Sequence, residues 1–164
     1  MPGIIKPSIL FLALSIKLFG QSQPELVDYL QREFKSMEND YVEVKEIKFS
    51  DNDSSCRITS SVPGQLSEAT LEFALAEVDI FTRQTLEKTP KEGYVYTYTL
   101  MVAPRGRGSA LRKNMSRVTA PEVILRSTTN GSKIRSMEWA FARLTELTTG
   151  RKTWALLPAA PLQN

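Results

Sequence analysis

One cysteine and no histidine stand in a chain of 164 residues, so neither an intramolecular disulfide nor a multi-cysteine metal site can hold it together. Any stable fold must come from burying apolar surface. With 41% hydrophobic and 24% charged residues the composition is that of a globular protein with a sizeable core. Without an N-terminal leader about 140 residues would remain, a common size for one domain. The same two absences narrow the chemistry. Lack of histidine removes the side chain whose ordinary pKa lies nearest neutrality and the commonest transition-metal ligand, so no cofactor or metal is expected and catalysis is disfavoured. Cys56 shares even spacing with Ile58 and Val62 on an expected strand and has only Arg57 beside it, which marks it as a small buried hydrophobe.

Residues 1–22 read as an export leader. Lys6 supplies a positive start, Ser8 to Ile16 form an apolar run too short to span a bilayer, and a more polar stretch follows. Cleavage fits after Gly20 or after Ser22. Because Lys17 interrupts the apolar segment, membrane contact through an uncleaved N-terminus is the alternative. Export with a single cysteine points to a periplasmic or secreted bacterial protein. Three Asn-x-Ser acceptor patterns, at Asn52, Asn114 and Asn130, point instead to a eukaryotic or viral secretory origin.

Residues 23–158 are expected to form one α+β domain, with 159–164 as a short tail. The first helix spans about Pro24 to Asn39, with an apolar stripe at Leu26, Val27, Leu30, Phe34 and Met37 and a capping box from Ser22 to Glu25. A hairpin follows, Tyr41 to Phe49 and Ser54 to Val62, in which Val42 and Val44 fall on the opposite face from Ile47 and Phe49; the parity change predicts a bulge. Ser67 to Lys88 reads as the strongest helix, with Leu71, Ala74, Leu75, Val78, Phe81 and Leu86 as its buried face. Gly93 to Ala103 is the clearest strand, central because both faces carry β-formers. Another strand covers Glu122 to Thr128. A third helix runs from Ser132 to Thr148, with Ile134, Met137, Phe141 and Leu144 buried and Gly150 past its end, and Thr153 to Leu157 could add a last strand. The order α-β-β-α-β-β-α predicts an antiparallel sheet of about four to five strands with three helices packed mainly on one face.

Charge is split along the chain. Residues 23–100 hold 15 Asp/Glu against 8 Lys/Arg, a net −7, and residues 101–164 hold 3 against 11, a net +8. Either the halves neutralise one another inside the fold, or a basic face awaits an anionic partner. The candidate contact residues are Arg105, Arg107, Arg112, Lys113 and Arg117, around the glycines of the loop Pro104 to Ser109. The loop lacks the spacing of a P-loop or a dinucleotide fingerprint. These observations favour an exported, non-catalytic binding or envelope-assembly protein that meets a protein or an anionic ligand. The alternative is an intracellular or virion protein using the basic segment 105–117, with the row Tyr94, Tyr96 and Tyr98, on nucleic acid. Carboxylates at Glu68, Glu72 and Asp79, or in the turn Asp51-Asn52-Asp53, are accounted for by helix solvation and turn chemistry.

Overall fold

The computed structural model describes residues 21–37, 42–50, 52–106 and 108–153. Helix α1, Gln23–Ser36, begins at the expected capping box: the amide and hydroxyl of Ser22 both donate to Glu25 Oε2, at 2.7 and 2.8 Å. These bonds hold the Glu25 carboxyl below its ordinary range. Leu26, Leu30 and Phe34 form its buried stripe. Strands β1, Glu43–Ser50, and β2, Ser55–Ser61, pair as the expected hairpin, and the register slips between Val44 and Glu46 as the parity change requires.

The largest correction concerns Ser67 to Lys88, which is not helical. It forms strand β3, Glu68–Ala74, a 3-10 turn at Leu75–Glu77, and strand β4, Val78–Thr89. Leu71, Phe73 and Leu75 are buried at odd positions, whereas Val78 and Ile80 pack inward at even ones, so the turn shifts the alternation by one. Two period-two patterns out of phase imitate a period near 3.6. The β-branched residues Thr70, Val78, Ile80, Thr82 and Thr85 fit the extended form. Glu68, Glu72 and Asp79 are therefore strand residues and share no helix face.

Strand β5, Gly93–Pro104, pairs with β4 over its whole length and with β8, Glu122–Ser127, from Tyr98 to Val102; between them lie the two-residue strands β6, Arg112–Lys113, and β7, Ser116–Arg117. Helix α2, Gly131–Thr149, ends at Gly150, whose positive φ of 70° closes it with an amide bond to the Glu146 carbonyl. The fold is thus α+β, and the described residues form two helices, rather than the expected three, and two antiparallel sheets, ordered β1-β2-β3-β6-β7 and β4-β5-β8. Thr153 is not in a strand, and the rest of the suggested final strand lies outside the described residues, as do the leader and the tail.

Both helices contribute to one continuous core, in which Ile134, Met137, Phe141 and Leu144 of α2 meet Leu26, Leu30 and Phe34 of α1 and the inward residues of both sheets. The ring of Phe141 lies 6.2 Å from Phe34, edge to face, and 6.3 Å from Phe49. As expected, β5 is central to its sheet. However, the β4–β5 hairpin outruns β8, and Tyr94 and Tyr96 emerge 69% and 54% exposed.

Candidate functional site

The five candidate residues separate into distinct environments. Arg105 follows β5; its amide donates to the Glu77 carbonyl at 2.8 Å and its side chain is exposed. Arg107 lies outside the described residues. Arg112, Lys113 and Arg117 sit on the small β6–β7 hairpin, reversed by Asn114 and Met115, both at positive φ. The Asn114 Oδ1 accepts from the Thr70 amide at 2.8 Å and its own amide donates to the Thr70 carbonyl, so the turn is bolted to β3. This asparagine thus has a structural task of its own.

Register turns those residues into part of a larger array. Lys48 lies opposite Arg57, Arg57 opposite Glu72, Glu72 opposite Arg112, and Arg112 opposite Arg117. Directly opposed residues project from the same face of a sheet, so four cations and one carboxylate, a net of +3, form a row across all five strands. At strand spacing the row measures about 19 Å. It faces solvent because the residues alternating with it, Ile47, Cys56, Ile58, Leu71 and Phe73, are buried in the core.

The row is only partly neutralised. Arg57 Nη2 meets Glu72 Oε1 at 2.5 Å and Lys48 Nζ meets Glu46 Oε1 at 2.7 Å. Lys113 Nζ is held by Glu122 Oε2 at 2.7 Å, and Arg117 is also engaged. Arg112 has no ion pair among the described residues, although it stands between Glu72 and Arg117. Beside it an open groove of about 730 Å³ is lined by Lys48, Ser50, Ser55, Arg57, Glu72 and Arg112 among others. Guanidinium forks around hydroxyls suit a carboxylate, sulfate or phosphate.

Sequence reasoning placed Arg112, Lys113 and Arg117 together but missed Lys48 and Arg57. The signal was present: both alternate with core residues in the expected hairpin, Lys48 between Ile47 and Phe49 and Arg57 between Cys56 and Ile58. The acidic half does neutralise part of the basic half, through Glu33–Lys133, Glu87–Arg126 and Asp79–Arg151, but these pairs lie elsewhere.

The tyrosines do not join the row. Tyr94, Tyr96 and Tyr98 belong to the other sheet, with Lys88 over the Tyr94 ring and Arg135 over Tyr98, at 6.0 and 5.9 Å. Tyr94 is separated from Pro104, which adjoins Arg105, by about 33 Å of extended strand. Among the described residues of β1, β2, β3, β6 and β7 the aromatics are Phe49 and Phe73, both packed into the core. Of the carboxylates weighed for chemistry, Asp53 accepts from Gln23 Nε2 at 3.0 Å and Asp79 from Arg151 at 2.9 Å. Asp51 lies outside the described residues.

One carboxylate that the sequence did not single out is buried. Glu138, only 5% exposed on α2, faces the amide and hydroxyl of Thr82, with Arg135 one turn away. Burial raises its pKa; the Thr82 groups and the Arg135 charge oppose the rise. Glu138 Oε1 and Thr82 Oγ1 both lack a hydrogen bond among the described residues. No family model, curated protein or solved structure matches the chain.

Proposed function

We propose that this protein is a non-catalytic binding module that docks an acidic segment of a partner protein across the outer face of its five-stranded sheet. The observation that carries the reading is the row Lys48–Arg57–Glu72–Arg112–Arg117. Four cations on rigid, hydrogen-bonded strands keep their spacing with little ordering cost on binding, and Glu72 between Arg57 and Arg112 limits which acidic patterns fit. Nucleic acid is served less well, because a single-strand track interleaves aromatics with its cations and the tyrosines stand on the other sheet.

The working location that accompanies this reading is outside the cytoplasm, as a periplasmic or secreted assembly factor. Cleavage after Gly20 would preserve the Ser22–Glu25 box that starts α1, whereas cleavage after Ser22 would remove it. N-terminal sequencing of the native product checks this directly: a start at Met1 opposes it.

The binding test uses a fluorescent oligoglutamate peptide and a single-stranded oligonucleotide of equal charge. The peptide is expected to bind the full chain at low salt and to weaken as salt rises, with Arg112→Glu reducing affinity about tenfold, equivalent to about 1.4 kcal/mol. Arg112 is exposed and makes no ion pair among the described residues, and the variant's far-UV circular dichroism, which should match wild type, checks that the fold survives a second carboxylate opposite Glu72. Absence of peptide binding at low salt, or tighter binding to the oligonucleotide, overturns the reading.

A further inference from the structure

Strand β4 is an edge strand of its sheet, and past Thr82, where Glu138 of α2 meets its amide, it lacks the devices that keep the other edges from pairing. At the far end of the other sheet β1 carries a bulge and two lysine–glutamate pairs, Lys45–Glu43 and Lys48–Glu46. Strand β7 has only two residues, and β8 is short, follows Pro121 and meets β5 with a register shift. By contrast β4 runs for 12 residues without a proline or a register shift. Beyond β8 the β4–β5 hairpin continues as a bare ribbon, with Leu86 55% exposed.

The direction of its free backbone groups can be read from its base. The Arg105 amide donates to the Glu77 carbonyl, so Val78 and Pro104 form a pair without mutual hydrogen bonds, and the Val78 carbonyl turns outward to Arg151 Nη2 at 2.6 Å. Unbroken alternation then turns Ile80, Thr82, Gln84, Leu86 and Lys88 outward as well. The Thr82 amide is met by the Glu138 carboxylate of α2, so the stretch of this edge left open among the described residues begins at Gln84.

We infer that β4 pairs antiparallel with β4 of a second copy, across a twofold axis at Thr85, to make one continuous six-stranded sheet. Three features of the strand select this partner and this register. Pairing about Thr85 sets Gln84 opposite Leu86 on both sides of the axis, which brings outward-facing residues together as hydrogen bonding demands and stops short of Thr82, where Glu138 covers the edge. It also sets Arg83 opposite Glu87 twice, once on each side of the axis, and Glu87 already holds Arg126. Centring on Arg83 instead would oppose Arg83 to itself and Asp79 to Glu87. Finally, the chosen register brings the two Leu86 side chains into diagonal contact, flanked by each copy's Tyr96, which is the cross-strand partner of Leu86. The isologous contact closes at two copies, as twofold symmetry requires.

This dimer is independent of the basic row, which lies on the other sheet. Sedimentation velocity on the full chain over a concentration series should show a monomer giving way to a dimer. Arg83→Glu, which opposes Glu to Glu87 twice, should raise the dissociation constant about tenfold or more. Glu87→Arg should do the same alone, and an equimolar mixture of the two variants should recover a dimer containing one of each. Because Glu87→Arg also opposes Arg126, a second probe leaves the charges alone. Thr85→Cys sits at a pair without mutual hydrogen bonds, with an expected Cα separation of about 4.5 Å, and should form an interchain disulfide on mild oxidation; Arg83→Cys should not. A chain that stays monomeric throughout the series, an Arg83→Glu variant that associates as before, or equal cross-linking at both positions overturns the proposal.

Discussion

Replacing Glu138 by glutamine should stabilise the protein, and the gain should depend on pH in a defined direction. The carboxyl lies in the helix–sheet interface with Oε1 unbonded, next to an equally unbonded Thr82 hydroxyl. An unsatisfied buried polar group costs about 1–3 kcal/mol. The glutamine amide keeps the volume, removes the charge and supplies a donor for Thr82 Oγ1. At neutral pH the gain should therefore be about 1–3 kcal/mol, and each kcal/mol should raise the thermal midpoint by roughly 3–6 °C in a domain of this size. The sign with pH follows from the raised pKa. Between the ordinary carboxylate pKa and the raised native one the folded state binds more protons than the unfolded chain, so wild-type stability falls as pH rises through that window. Below the ordinary value both states are protonated and the charge penalty vanishes. Thermal melts of wild type and Glu138→Gln at pH 4 and pH 7 should show a larger difference at pH 7. A variant less stable than wild type at pH 7, or an equal gain at both values, would refute the reasoning.

Further perturbations probe packing and strain. A Cβ on Gly131 would lie 2.5 Å from the Tyr98 ring, so Gly131→Ala should lower stability by about 1–3 kcal/mol despite alanine's better helix propensity; the loss should disappear in a Tyr98→Leu background, as measured by urea unfolding. Burial pushes the Cys56 thiol well above its ordinary range, so a disulfide reagent at pH 8 should label it only as the chain unfolds, and labelling of the native protein within minutes would contradict the packing. Met115, 88% exposed with φ 66°, occupies the second position of a turn that favours Asn-Gly, so Met115→Gly should raise stability by about 0.5–1 kcal/mol in the same assay.

The sequence revealed those elements whose local signals agreed with one another. In α1 the capping box, the first-turn proline and the stripe Leu26, Leu30 and Phe34 all point to the same helix. In α2 the stripe from Ile134 to Leu144 and Gly150 do likewise. The stretch from Ser67 to Lys88 misled because its phase slip sits at Leu75–Glu77, a feature of tertiary geometry in which one chain segment leaves one sheet and enters the other. The basic segment was visible as composition. Its extension through Arg57 to Lys48 was hidden because cross-strand neighbours such as Glu72 and Arg112 are far apart in sequence and meet only once register is set. Glu138 was illegible for a similar reason, since its burial depends on β4 lying beneath α2.

Arg151 has a consequence for how the molecule is made. Its guanidinium holds the Leu75 and Val78 carbonyls and Asp79 at 2.8, 2.6 and 2.9 Å, at the corner where the chain passes from one sheet to the other. The corner is translated long before its clasp: the 72 residues from Asp79 to Arg151 take about 4 to 14 s to synthesise. Closing this corner therefore waits until the end of α2 has been made, late in synthesis.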